Sequence, residues 1–203
     1  MRISLFFLVL FLTGTARAAD PVILVLGDSL SSAYGLPRES GWVHLLGRRL
    51  ESRRPRLAVV NASVAGETSA GGLTRLPELL AVHHPAVVVL ALGANDGLRG
   101  LPLDATAANL EAMLRLVRRQ GGRALLVGMR LPPNYGEAHT RQFQAIYPAL
   151  AKRAGVPLAP FLLEGVATRL DLFQADGLHP DAQAQPVLLE NVWRTLAPLL
   201  PGP

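Results

Sequence analysis

Residues 22–30 read VILVLGDSL. Five apolar residues, Val22–Leu26, run without interruption into Gly27, and the chain then turns polar at Asp28 and Ser29. An apolar run this short, rich in Val, Ile and Leu and closed by glycine, fits a strand covered on both faces. Such strands belong to parallel sheets sandwiched between helices, and those sheets bind ligands just beyond the carboxyl ends of their strands. Ser29 stands at that place. It is either a turn residue or a nucleophile. The choice rests on whether the rest of the chain supplies a base, an acid to orient that base, and donors for an oxyanion.

Working outward, apolar runs alternate with amphipathic stretches. Glu39–Arg53 carries Trp42, Leu45, Leu46, Arg49 and Leu50 at helical spacing. Leu57–Val60 reads as a second strand, and Thr68–Ala81 as a helix broken or kinked near Pro77. Ala86–Leu92, AVVVLAL, is the clearest strand. Asp104 is the expected N-cap of a helix over Ala105–Gln120, with Leu110, Met113, Leu114 and Val117 on its apolar face and Gly121 at its end. Arg123–Met129 is a fourth strand, Glu137–Arg153 a helix, Val156–Leu163 a proline-marked fifth strand, and Asp181–Leu199 a closing helix. Five strand–helix alternations without repeats or linkers predict an α/β three-layer sandwich, a parallel sheet of about five strands in the flavodoxin-like order 2-1-3-4-5.

Length and composition suit one globular domain: 203 residues, half of them apolar and 17% charged. The N-terminus reads separately. Arg2, the apolar run ISLFFLVLFL at residues 3–12 and the Ala16-Arg17-Ala18 site predict a secretory signal peptide over residues 1–18, leaving a single domain over 19–203. The run is about half the roughly 20 residues a spanning helix needs, so no stable membrane insertion is expected, and the mature protein is expected to be exported to the periplasm or secreted. There is no cysteine, which rules out disulfides, thiolate catalysis and a lipid anchor on a cleavage-site cysteine. The net charge of +5 becomes +3 without Arg2 and Arg17. The arginine pairs 48–49, 53–54 and 118–119 sit on expected helices as solvated faces, and no dense basic stripe with interleaved aromatics points to nucleic acid. A monomer is expected.

The chemistry collects at the strand ends. Gly66 follows strand two, Asn95 and Asp96 follow strand three, and Asp176 and His179 follow strand five. In the order 2-1-3 the first three strand ends are neighbours about 4.8 Å apart, so Ser29, Gly66 and Asn95 can converge. Of the five histidines, His44, His83, His84 and His139 suit surface or helix-end positions. His179 differs, because Asp176 precedes it by three residues across Gly177. One turn brings that carboxylate to Nδ1, fixes the tautomer and leaves Nε2 for Ser29; the plain alternative is a pair that caps the last helix. The backbone N–H groups of Ser29 and Gly66 and the Asn95 amide are candidate oxyanion donors, although Gly66 also suits a plain turn and Asn95 an Asx-turn. Asp28 reads as a turn-fixing carboxylate, and Asp96 as an Asx-turn residue or a support beneath its loop. Ser31 stands where a GxSxG elbow would need glycine, so the α/β-hydrolase arrangement is not indicated.

Taken together, GDSL at 27–30, Gly66, GAND at 93–96 and DGLHP at 176–180 resemble the four motif blocks of the GDSL, or SGNH, hydrolases. The resemblance covers essentially the whole mature chain. It implies Ser29 as nucleophile, His179 as base, Asp176 as its orienter and an oxyanion hole from Ser29, Gly66 and Asn95, with no metal and no cofactor. It further implies hydrolysis of acyl esters, thioesters or lysophospholipids and a mobile loop at Asp96–Pro102. The helix after GWVHLL and the PPNYG loop would line the acyl groove, with Leu98, Pro133 and Tyr135 as substrate-binding residues. Ala175 stands where the family often has a second acidic residue. Two other functions remain open: a carbohydrate O-acetyl esterase on the same scaffold, for which 5% aromatic content is low, and an exported binding module with a dead site.

Overall fold

The computed structural model describes residues 20–53 and 56–202; the leader expected over residues 1–18 lies outside them. Val22–Gly27 forms β1, buried from Ile23 onward, and pairs in parallel with β2 (Ala58–Asn61) on one side and β3 (Val87–Ala91) on the other. β4 (Arg123–Val127) and β5 (Leu158–Ala159) extend the sheet, which runs β2-β1-β3-β4-β5 with every pair parallel. The expected order is the observed one.

The layers follow from the handedness of the crossovers. Helix α1 (Trp42–Leu50) carries the chain from β1 outward to β2 and packs with α6 (Gln185–Leu196). From β2 the sheet grows in the opposite direction. Right-handed connections therefore place α2 (Ser69–His83), α4 (Leu103–Arg119) and α5 (Glu137–Ala154) on the other face, where α2 meets α4 and α4 meets α5. Short α3 (Ala94–Leu98) sits at the end of β3. The reversal between β1 and β3 opens a crevice at their carboxyl ends.

Several boundaries differ from expectation. β5 spans two residues because Pro157 and Pro160 flank it and neither has an N–H for the ladder. Helix α2 runs unbroken through Pro77, which lies on its exposed side. Its N-cap is Thr68, whose side chain accepts from the Gly71 N–H at 3.3 Å. Asp104 is not the cap of α4; Pro102 takes that position, its carbonyl accepting from the Thr106 N–H at 3.1 Å, and Asp104 falls in the first turn, where its charge suits the helix dipole. Helix α6 begins at Gln185, since the Asp181 carboxylate first holds the Gln183 and Ala184 N–H groups in a turn at 2.9 and 3.1 Å.

Candidate active site

β1 delivers Ser29 on a turn built by its neighbour. The Asp28 carbonyl accepts from the Ser31 and Ser32 N–H groups at 3.1 and 3.0 Å, and its carboxylate accepts from the Leu30 N–H at 3.0 Å. From beneath, fully buried Trp42 donates Nε1–H to the Leu30 carbonyl at 3.1 Å, while its own N–H donates to Gln185 Oε1 at 3.0 Å. Helix α1 therefore supports the Ser29 turn from the core side. It does not line the cleft, contrary to what the resemblance implied: its apolar stripe is taken up by the sheet and α6.

The second component crosses the end of the sheet. The segment after β5 is tied just past β4 by the Leu162 N–H donating to the Gly128 carbonyl at 3.0 Å and doubles back through a bridge between Phe173 and Pro180. Within this bend the Gln174 N–H donates to the His179 carbonyl at 2.8 Å, and its side-chain amide donates to the Tyr34 and Pro180 carbonyls at 2.9 and 3.1 Å. Gly177, at φ +63, makes the tight turn between Asp176 and His179. His179 Nδ1 lies 2.6 Å from Asp176 Oδ2, and its Nε2 lies 2.9 Å from Ser29 Oγ. The Tyr34 ring packs over the imidazole with centroids 4.5 Å apart. The Asp176 carboxylate accepts from the His179 backbone N–H, the imidazole and the Leu178 N–H, which together hold its pKa down at about 2. It is held ionised, as an orienting acid must be.

The third component comes from the loops after β2 and β3. Gly66 adopts φ +76, which disfavours any side chain. Asn95, in the first turn of α3, donates Nδ2–H to the Glu67 carbonyl at 3.0 Å; it is helical, not an Asx-turn. Asp96 is buried beneath this loop and accepts from the Ser69 N–H at 2.8 Å, the Ser69 hydroxyl at 2.5 Å and Thr106 at 3.4 Å, joining α2, α3 and α4. Among the described residues, neither the Ser29 nor the Gly66 N–H has an acceptor within the chain. Ser29, Gly66, Asn95 and His179 all border one cleft of about 740 Å³. No group of three or more His, Asp or Glu side chains among the described residues is placed to hold a metal ion.

The sequence profile of the GDSL-like lipase/acylhydrolase family matches residues 25–185. The chain belongs to that family. This GDSL hydrolase is 50% identical over 186 residues to esterase TesA of Pseudomonas aeruginosa, covering 92% of each chain. It is 43% identical over 195 residues to thioesterase 1/protease 1/lysophospholipase L1 of Escherichia coli strain K12, covering 96% of this chain and 92% of that one. A crystal structure of TesA, 51% identical, superposes with a TM-score of 0.86 over 88% of this chain and 99% of that one. The protein is thus a carboxylic ester hydrolase.

Of the residues expected to bind substrate, Leu98 and Pro133 border the cleft and Tyr135 does not. The 3₁₀ turn at Pro133–Tyr135 and its N-cap present Pro133 and Pro132 to the cleft, and Tyr135 is 37% exposed. Most of the apolar wall was missed: Met129 and Leu131 after β4, then Phe161, Leu163 and Phe173 after β5. Their signal is positional. Met129, Leu131, Phe161 and Leu163 follow within a few residues of strand ends, the same rule that singles out Ser29; Phe173 comes only with the later bend.

Asp28 is the buried carboxylate of this site, 2% exposed. Burial pushes its pKa up to about 6, and nearby Asp96 adds to the rise, while the Leu30 N–H and nearby His179 oppose it. A carboxyl that holds its proton more tightly when folded stabilises the fold at low pH. That contribution is lost as pH rises from the unfolded value of 3.8 through the folded one of about 6. Asp28→Asn keeps an acceptor for Leu30 and removes the ionisation. It is expected to stabilise the protein at pH 7 by about 1–3 kcal/mol, with the gain vanishing near about pH 4. Urea melts at the two pH values check this; an equal gain at both contradicts it.

Proposed function

We propose that Ser29 is the nucleophile of an exported hydrolase acting on lipophilic acyl esters, thioesters and lysophospholipids. The observation that carries this is the chain of contacts from Asp176 through His179 to Ser29, ending in a cleft with apolar walls. Ser29 Oγ attacks the acyl carbonyl carbon as its proton passes to His179 Nε2, and Asp176 stabilises the resulting imidazolium. The oxyanion rests on the Ser29 and Gly66 N–H groups and the Asn95 amide. Collapse expels the alcohol or thiol, which takes the proton from His179. Water, activated by the same imidazole, then releases the acid and restores Ser29.

Acyl preference is supported by the walls. Met129, Leu131, Phe161 and Leu163 supply an aliphatic and aromatic channel leading away from Ser29. Large exposed apolar residues also gather at its mouth: Tyr34 at 49%, Leu170 at 79% and Leu178 at 43% exposure border the cleft. A sugar cleft would instead be expected to be lined mainly by aromatic rings, whereas most of these walls are aliphatic. Export is supported by the leader-like composition of residues 1–18. No helix among the described residues is long and apolar enough to cross a membrane.

The test uses purified residues 19–203 with p-nitrophenyl esters of increasing chain length, an acyl thioester, a lysophospholipid and an acetylated sugar, alongside fluorophosphonate labelling mapped by mass spectrometry. Label on Ser29 and a preference for acyl chains over the acetylated sugar are expected. Absence of label points to a dead site, and a preference for the sugar overturns the substrate assignment. Leu163→Trp, which fills the channel, is expected to shift the optimum to shorter chains by several carbons and to spare acetate esters. An unchanged profile places the acyl chain elsewhere.

A further inference from the structure

We propose that Arg99 is a positioning residue for the oxyanion hole, acting as a latch on Gly66; this rests on the assignment of Gly66 as an oxyanion donor. Gly66 belongs to neither a strand nor a helix, and its φ of +76 is held by no side chain of its own. A donor in such a loop is useful only if something else fixes its direction, because an oxyanion donor works by being aimed before the charge develops. The loop start is tied by the Val64 N–H donating to the Gly27 carbonyl at 3.0 Å, and the turn is closed by the Glu67 N–H donating to the Val64 carbonyl at 3.1 Å. Asn95 takes the Glu67 carbonyl. The Gly66 carbonyl is taken by Arg99, whose Nη2 donates to it at 3.0 Å.

The placement of Arg99 is itself fixed. It closes α3, its N–H donating to the Asn95 carbonyl at 3.1 Å, so the latch and the Asn95 donor share one short turn. Among the described residues no carboxylate pairs with its guanidinium, and its side-chain hydrogen bond is the one to Gly66. The guanidinium lies against the exposed side of Gly66, where an added Cβ would meet Nη2 at 3.4 Å. It does not border the cleft, so it acts on the substrate only through Gly66. Holding the Gly66 carbonyl fixes the peptide after Gly66 and restricts its ψ, while the Val64–Glu67 turn closes around the preceding peptide that carries the Gly66 N–H, so the two contacts grip the donor from both sides.

The test is Arg99→Met, of similar length but without donor or charge, measured on a short p-nitrophenyl ester and with a neutral alkyl fluorophosphonate. Loss of a whole oxyanion donor costs about 10²–10³ in kcat, and a loosened one less, so kcat is expected to fall about tenfold with KM within about twofold. Phosphonate inactivation, which passes through the same oxyanion, is expected to slow by a similar factor while the melting temperature stays put. The deficit should persist at about 1 M salt, where a distant charge is screened within about 3 Å. Wild-type kcat and inactivation rate in the variant overturn the latch, as does a deficit that disappears in high salt. A wild-type enzyme that the phosphonate fails to label at Ser29 instead overturns the nucleophile assignment on which the latch rests.

Discussion

Replacing Ser29 with alanine is expected to bring ester hydrolysis down by about 10⁶ in kcat, to the residue of activity that binding and the oxyanion donors alone supply. The size of the loss follows from the way the contacts are linked. The Ser29 hydroxyl is the group that meets His179 Nε2 at 2.9 Å, and without it the imidazole has no proton to take and the acyl group no atom to be transferred to. The fold should not notice. The Ser29 turn is made by the Asp28 carbonyl and carboxylate, the Leu30 N–H and the Trp42 indole, none of which uses Ser29 Oγ. His179 stays oriented by Asp176 and by the Tyr34 ring. Circular dichroism and melting of the variant are therefore expected to match the parent, with stability within about 1 kcal/mol, the scale of one half-buried hydrogen bond. Fluorophosphonate labelling should vanish. A folded Ser29→Ala protein that still turns over p-nitrophenyl esters would sink the assignment, whatever the fate of the other residues.

Much of this was legible in the sequence, and for a physical reason. A parallel strand buried on both faces has to be a short apolar run with an abrupt end, so VILVLG and AVVVLAL mark strand and terminus together. Because ligands gather at those termini, polar residues just past them mark the candidate site in the sequence alone. Asp176 and His179 were harder. β5 does not neighbour β1, and only the bend through Phe173 and Pro180 carries the pair back to Ser29. That bend has no periodicity to announce it; it is held by single contacts such as the Gln174 amide on the Tyr34 carbonyl. The same holds for the apolar wall. Phe161 and Leu163 read as part of a strand until Pro160 is seen to end it. Helix α1 does not line the cleft because closeness in sequence to Ser29 says nothing about which way a helix stripe faces.

Asn95→Ala is expected to lower kcat by about 10²–10³ with little change in KM, the behaviour of a group that binds the transition state and not the ground state. The amide has two N–H donors. One is spent on the Glu67 carbonyl at 3.0 Å, and the residue also borders the cleft beside Ser29 and Gly66. Alanine removes both donors. Were Asn95 only a brace for the loop, the variant would lose about 1 kcal/mol of stability and keep its kcat; melting curves set beside steady-state kinetics separate the two. Asn95→Asp sharpens the test, since it preserves the shape but turns a carboxylate toward the Glu67 carbonyl and the oxyanion. It should be at least as inactive as the alanine variant. The double variant with Arg99→Met carries the argument furthest. Asn95 and Arg99 hold consecutive carbonyls, Glu67 and Gly66, from the same short helix. Once Asn95 is gone the loop is already loose, so removing Arg99 should cost less than it does in the parent. Losses in kcat that simply multiply would mean that the two side chains act on the oxyanion independently, and that the loop between them is not the shared element.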